Sequence, residues 1–341
     1  MTAPIGVALI GYGYAGRTFH APLIGASPEY ALRVVASSDA RRVRADLPGM
    51  EVASTSAEAI ARDDIDLVVI ATPNASHAPL AQAAIAAGKH VVVEKPIAPG
   101  LAEARDLADR AGAAGVRLTV FHNRRWDSDF LSVRAAIDQG LVGTVSHFES
   151  HFDRFRPQVR DRWRENAGPG SGVWFDLGPH LVDQALLLFG PPRRVTASMA
   201  LQRAGAQATD WAHVILEYDT LRVVLHAGML VAGGSRRFVI HGDKGSLIKE
   251  RLDPQEAQLL AGMRPGAAGW GIDSDPLVLH DAAGQRTVPS IPGDQRRFYG
   301  ELALALRGNS SDSVDIAQSM AVMAVVAAAE TAANTGTSVS L

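Results

Sequence analysis

The chain has 341 residues, 47% of them hydrophobic and 20% charged, which is enough to enclose a sizeable core and favours two domains over one. Its 33 Lys and Arg against 36 Asp and Glu leave a formal net charge of -3, so there is no broad basic field for a nucleic-acid backbone or an anionic membrane. Cysteine is absent; disulfide staples, thiolate metal sites and thiol nucleophiles are therefore excluded, and a reducing compartment fits.

The first residues, Met1-Thr2-Ala3-Pro4, run straight into an apolar stretch without the basic segment and small-residue cleavage site of a secretory signal, so a cytoplasmic location is expected. Short β-rich runs follow at 5–10, 31–36, 66–71, 90–93 and 117–121. Between them, 76–87 is Ala-rich and stops at Gly88, while 101–114 sets Leu101, Ala104, Leu107, Ala108 and Ala111 at helical spacing before Gly115. This alternation predicts an α/β Rossmann domain over residues 1–121, a parallel sheet with helices on both faces.

Residues 122–341 follow another pattern. A helix at 128–139 stops at Gly140, then alternating runs at 145–155, 195–201, 212–218, 222–230 and 237–241 succeed one another with only one helix, 173–189, among them. Helices at 295–307 and 314–334 close the chain, and the Gly- and Pro-rich stretch 262–271 reads as a loop. The prediction is an α+β domain with a largely antiparallel open sheet, used for substrate binding and oligomerisation. The most apolar late stretch, 320–329, is half the length needed to cross a bilayer and reads as a buried helix, so no membrane partner is expected. Val214, Leu216, Val224 and Leu225 lie on a sheet that so few helices cannot wholly cover, and a homodimer or homotetramer is expected.

Gly11-Tyr12-Gly13-Tyr14-Ala15-Gly16 comes directly after the first strand and opens a helix. Gly11 permits a tight turn, Gly13 lets backbone approach a pyrophosphate, and Gly16 lets the helix pack on the strand with its N–H groups aimed at phosphate. The second strand ends Ser37-Ser38-Asp39, with Ser37 where an NAD enzyme carries an acid for the ribose hydroxyls. Arg41 and Arg42 follow, within reach of a 2′-phosphate. NADP is the expected cofactor and NAD the alternative, in which case Asp39 serves the ribose.

Glu94-Lys95-Pro96 ends the strand at 90–93 and sets Lys95 at the carboxyl edge of the sheet, where a nicotinamide lies. A lysine there can hydrogen-bond or exchange a proton with a reacting hydroxyl. Asp176, His180 and Asp183 recur on one face of the 173–189 helix and need water or partners, which a polyol can supply. Histidine titrates near neutrality and suits the removal of a hydroxyl proton. A metal held by these three is not expected, because hydride transfer to a nicotinamide needs only a base.

Taken together, Gly11 to Gly16, Ala71-Thr72-Pro73-Asn74-Ala75-Ser76-His77, Glu94-Lys95-Pro96 and Asp176-Leu177-Gly178-Pro179-His180 resemble the Gfo/Idh/MocA family of glucose–fructose oxidoreductase, inositol dehydrogenase and their relatives, across nearly the whole chain. Phe121-His122-Asn123-Arg124-Arg125-Trp126-Asp127 and the run from Glu149 to Pro157 look most like the branch holding NADP-dependent scyllo-inositol 2-dehydrogenases. The resemblance implies that Lys95, Asp176 and His180 are catalytic and that Pro96 follows a cis peptide bond. It also implies that Thr72, Pro73, Asn74, His77 and Glu94 lie at the dinucleotide, and that Asp183 touches the substrate ring. Asp153 and Arg156, beside His151 and Arg154 on or just beyond the first strand of the second domain, are further substrate candidates.

The function expected is hydride transfer between a ring hydroxyl of an inositol or related cyclic polyol and the nicotinamide. The alternatives are an aldose or other sugar dehydrogenase on the same scaffold, or a non-catalytic sensor that only binds dinucleotide. Presence of Lys95, Asp176 and His180 together, with no basic patch for DNA, favours the enzyme.

Overall fold

The computed structural model describes residues 3–162, 164–168, 170–309 and 315–341. The chain forms two compact units: one of residues 1–123, 255–270 and 294–320, the other of residues 124–254, 271–293 and 321–341.

The first unit holds six parallel strands, β1 (Ile5–Ile10), β2 (Tyr30–Ala36), β3 (Glu51–Ala53), β4 (Leu67–Ile70), β5 (His90–Val93) and β6 (Leu118–Val120), in the order β3-β2-β1-β4-β5-β6. This is the doubly wound Rossmann order, and the strand sequence reverses between β1 and β4, where a crevice opens at the carboxyl ends. Val7, Ala8, Leu9 and Ile10 of β1 and all of β4 are fully or almost fully buried, as strands covered on both faces must be. The helices His77–Ala86 and Leu101–Ala113 agree with the sequence pattern. Strand β3 is not foreseen: three exposed or half-buried residues carry no readable period.

The compact units do not follow a single cut in the chain: residues 255–270 and 294–320 group with residues 1–123. The helix Arg296–Leu306 belongs to the first unit because it buries Phe298 and Tyr299 there. The Phe298 ring meets Phe121 edge-on at 4.8 Å and the Tyr299 ring meets Tyr30 at 5.4 Å, while the Tyr30 hydroxyl donates to the Tyr299 carbonyl at 2.8 Å. Helical periodicity reveals that this helix has an apolar face, not which core receives it.

The second unit is built on a nine-stranded sheet: β7 (Val145–His151), β8 (Arg194–Ala200), β9 (Trp211–Glu217), β10 (Arg222–Gly228), β11 (Phe238–Gly242), β12 (Gly245–Lys249), β13 (Leu277–Asp281), β14 (Gly284–Val288) and β15 (Val339–Ser340). The order is β14-β13-β12-β11-β7-β10-β9-β8-β15, and every pairing is antiparallel except that of β7 with β10. Strands β12 to β15 extend the sheet beyond the sequence prediction. The 17-residue helix Val173–Phe189 lies against β9 and β10.

Strand alternation divides the sheet's residues between two faces. Val214, Leu216 and Leu225 are fully buried in the core shared with that helix, so they are not the apolar residues of an uncovered face. Only Val224 of the four expected there points the other way, its strand neighbours being Ile215 and Glu149. The uncovered face instead carries His147, Glu149 and His151 of β7, His213 and Ile215 of β9, and Val224 and His226 of β10.

The final helix, Ile316–Thr335, has a mean hydropathy of 1.5 and the length to cross a bilayer. Its Val322, Val325, Val326, Ala328 and Ala329 sit in the core of the second unit, as a buried helix requires. The expected first residue of that helix, Val314, lies outside the described residues.

Candidate functional site

In the first unit the glycine turn is fixed by close approach. Gly11 has φ +95°, and a Cβ on it would stand 2.5 Å from the Ala71 carbonyl oxygen; one on Gly16 would stand 2.1 Å from the Gly11 oxygen. No residue but glycine fits either place. Gly13 differs, since a Cβ there would meet nothing within 4 Å. That open side is what a pyrophosphate needs in order to reach the backbone, so the turn fits a dinucleotide. Ala15 enters the helical stretch that continues through Gly16–His20 to Ala21–Gly25.

Beside the turn, a cavity of about 400 Å³ is lined by Gly11, Tyr12, Gly13, Ser37, Ser38, Asp39, Arg42, Ser54, Ser56, Thr72 and Pro73, among others. It lies at the carboxyl ends of β1, β2 and β4, where a Rossmann sheet binds the adenosine half of its ligand. Arg42 lines it and Arg41 does not. Asp39 caps the helix Ala40–Asp46: its Oδ1 accepts from the Arg42 N–H at 3.0 Å, and its Oδ2 pairs with the Arg42 guanidinium at 3.2 Å. Ser54 and Ser56 were missed because they follow the unforeseen β3. Tyr12 is buried, and burial together with neighbouring Asp46 pushes its hydroxyl up to about 12. Tyr14 is exposed and its hydroxyl donates to Glu256 Oε1 at 2.6 Å, so residues 255–260 lie against the glycine turn.

Asn74 and His77 are buried. The His77 ring clasps two loops, with Nδ1 2.8 Å from the Pro96 carbonyl and Nε2 2.8 Å from the Thr72 carbonyl. It therefore holds the segments after β4 and β5 in register rather than lining the cavity. The peptide between Lys95 and Pro96 is cis, as the resemblance implies. The Lys95 N–H donates to Glu94 Oε2 at 3.2 Å, Glu94 Oε1 lies 3.2 Å from His20 Nε2, and His20 Nδ1 lies 2.6 Å from the Tyr299 hydroxyl. Burial works to raise the Glu94 carboxyl, but the hydrogen bond from His20 and the charges of His20, Lys95 and His77 hold it below the usual range. His20 and Tyr299 were not legible as site residues: nothing in their spacing links positions 279 residues apart.

In the second unit, Asp176 and His180 lie in the first two turns of the helix Val173–Phe189. Gly178, between them, sits against Trp174, where a Cβ would come within 2.7 Å of the indole ring. Asp176 faces the Arg154 guanidinium at 3.5 Å and that of Arg164 at 3.3 Å; Arg164 carried no signal in the sequence. His180 is buried at 7% exposure.

Two substrate candidates stand apart from this pair. Asp183 is 2% exposed and held by Arg125, whose Nε donates to Oδ2 at 2.9 Å and whose Nη2 donates to Oδ1. Asp153 is turned to the uncovered face of the sheet, with the Ser235 hydroxyl donating to it at 2.6 Å and His151 and His226 at 3.7 and 3.5 Å. Asp153 and Arg154 both lie just beyond the end of β7, and it is Arg154 that reaches Asp176. Arg156 is half-buried, within electrostatic reach of Asp176.

Residues 5–122 match the family description "Oxidoreductase family, NAD-binding Rossmann fold" and residues 134–341 match "Oxidoreductase family, C-terminal alpha/beta domain". The chain belongs to the Gfo/Idh/MocA oxidoreductase family. It is a dehydrogenase that binds a nicotinamide dinucleotide and acts on a small molecule. An uncharacterized oxidoreductase of Escherichia coli strain K12, YdgJ, is 49% identical over 96% of this chain and 95% of its own length. The scyllo-inositol 2-dehydrogenase (NADP(+)) IolW of Bacillus subtilis strain 168 is 36% identical over 95% of this chain and 92% of its own. Among solved structures, a Klebsiella pneumoniae oxidoreductase superposes with a TM-score of 0.93 at 52% identity, covering 99% of this chain and 95% of that one. A Yersinia pestis oxidoreductase does so at 0.96 and 42%, covering 100% and 98%.

Proposed function

We propose that the protein reversibly oxidises a ring hydroxyl of an inositol-like polyol, with NADP preferred to NAD. The observation that carries the cofactor choice is the wall of the cavity beside the glycine turn: Ser37 stands where an acid would repel a 2′-phosphate, Arg42 lines the same cavity, and Asp39 is engaged as a helix cap. The substrate class is supported by the 36% identity to IolW over nearly the full length of both chains. The bound nicotinamide would accept the hydride from the carbon that bears the hydroxyl. His180 takes the hydroxyl proton, while Lys95 and Asp176 orient and polarise the C–O bond. Glu94, tied to His20, steadies the backbone at Lys95.

The test is a panel of inositols and aldoses assayed for NADP and NAD reduction, repeated with His180→Ala, Lys95→Ala and the double variant. His180→Ala should lower turnover roughly 10²–10⁴-fold with cofactor affinity unchanged. The double variant should lose little beyond the worse single one, because groups acting as a unit are not additive. Near-normal turnover in His180→Ala would make the histidine structural, and a preference for aldoses would move the substrate to that class.

The same reading includes a cytoplasmic location, which the cysteine-free composition suits. It also includes a homodimer or homotetramer joined through the uncovered sheet face of the second unit, where Ile215 and Val224 lie among the histidines.

A further inference from the structure

The Glu94 carboxylate is one end of a hydrogen-bonded chain that runs into the core of the first unit. Glu94 follows β5, with its main-chain N–H donating to the Ile70 carbonyl at 3.0 Å, and its Oε2 accepts from the Lys95 N–H at 3.2 Å. Its Oε1 faces His20 Nε2 at 3.2 Å, and His20 Nδ1 lies 2.6 Å from the Tyr299 hydroxyl. His20 and Tyr299 are fully buried, and the Phe121 ring lies against the imidazole with 4.2 Å between centroids. Hydroxyl, imidazole and carboxylate in line are the members of a nucleophilic triad, but no substrate reaches a phenol enclosed in the core. The group at the open end of the chain is Lys95.

An ionised carboxylate only accepts, so His20 Nε2 must carry a proton to bind it. In the neutral imidazole Nδ1 is then the acceptor, and the Tyr299 hydroxyl is the donor it meets. Burial pushes that phenol well above its ordinary value, with Tyr30 and Glu94 adding to the effect, so the hydroxyl keeps its proton. The titratable groups facing Glu94 are His20 from the helical stretch after the glycine turn, Lys95 beside it, and His77, whose ring is bound to the Pro96 carbonyl. Without the His20 donor, a carboxyl only 13% exposed is left to burial, which favours its protonated form. A protonated carboxyl is also the weaker acceptor for the Lys95 N–H.

We propose that His20 and Tyr299 are positioning residues for the oxidation: Tyr299 fixes the His20 tautomer, His20 keeps Glu94 an acceptor at both oxygens, and Glu94 holds the main chain that carries Lys95. This rests on the reading of Lys95 as the residue that polarises the substrate hydroxyl. A cluster that only filled the core would lower stability when cut, without a pH dependence of its own.

NMR of cofactor-free protein with isotope-labelled histidine and glutamate tests the chain without turnover. At neutral pH the His20 ring should show one protonated and one bare nitrogen. The Glu94 carboxyl, assigned by its absence from E94Q, should titrate at a higher pH in H20N than in wild type. Asparagine ends near the place of Nδ1 and leaves Glu94 without this donor, whereas the longer glutamine of H20Q brings an amide to the place of Nε2. In the enzyme, H20N should lose about tenfold or more of kcat on the acid side and recover toward alkaline pH. That acid limb should be absent from H20N/E94Q, H20Q should restore most of the wild-type profile, and Y299F should shift it as H20N does but by less. NADP affinity reports folding; if H20N does not fold, Y299F, which removes a single oxygen, decides. Superposable pH profiles for wild type and the H20N or Y299F variant, an H20Q as impaired as H20N, or a His20 ring protonated at both nitrogens overturns the proposal. Should Lys95→Ala turn over normally, the reading of Lys95 falls, while the Glu94 titration still decides the chain.

Discussion

Replacing Asp183 separates a substrate contact from a structural anchor. The carboxylate is held at both oxygens by Arg125, and the two side chains are only 3% and 5% exposed. Asp183→Ala removes the carboxylate that binds the buried Arg125 at two nitrogens, and losing one partner of such a buried pair costs about 3–5 kcal/mol in comparable cases. For a folding unit of this size class each kcal/mol lowers the melting temperature by roughly 2–4 °C, so the variant should melt about 6–20 °C lower. An apolar double replacement, Arg125→Met with Asp183→Leu, removes both charges and should recover much of that loss. Differential scanning calorimetry gives the stabilities, and turnover against polyol concentration separates KM from kcat. If Asp183→Ala melts within about a degree of wild type while KM for the polyol rises steeply, the anchor assignment is wrong and Asp183 contacts substrate.

Ser37→Asp should set a negative charge where the 2′-phosphate would lie and move preference toward NAD; equal or better use of NAD by the unaltered protein would contradict the cofactor assignment. His151 is held above its ordinary value: burial opposes this, but hydrogen bonds to Asp153 and Glu149 and their charges outweigh it. Its stabilising effect is therefore complete below pH 6.5 and is lost as pH rises through the elevated folded value. The melting-temperature difference between wild type and His151→Asn should accordingly be larger at pH 6 than at pH 9, and a difference that grows with pH would refute that sign. Light scattering at micromolar concentration should find a dimer or tetramer, and a Val224→Glu substitution on the uncovered face should dissociate it; a monomeric wild type would exclude assembly through that face.

The sequence by itself determined whatever rests on local constraint. The glycine turn was legible because steric exclusion dictates glycine at positions 11 and 16 whatever the rest of the chain does. The βα alternation was legible because strands buried on both faces must be continuously apolar, and the Asp176–His180 pair was legible because four residues bring two side chains to one helix face. The tertiary structure decided which charge meets which. Asp183 reads from its spacing like Asp176, yet one faces Arg125 in the interior and the other faces Arg154 and Arg164. Asp153 and Arg154 are neighbours in the chain, yet one meets Ser235, His151 and His226 and the other meets Asp176. His20 meets Glu94 and Tyr299, and the helix Arg296–Leu306 joins a core begun nearly 300 residues earlier. Periodicity states that a face is apolar or that a group is polar, but the partner is chosen by chain crossings between distant segments, and no local pattern records those.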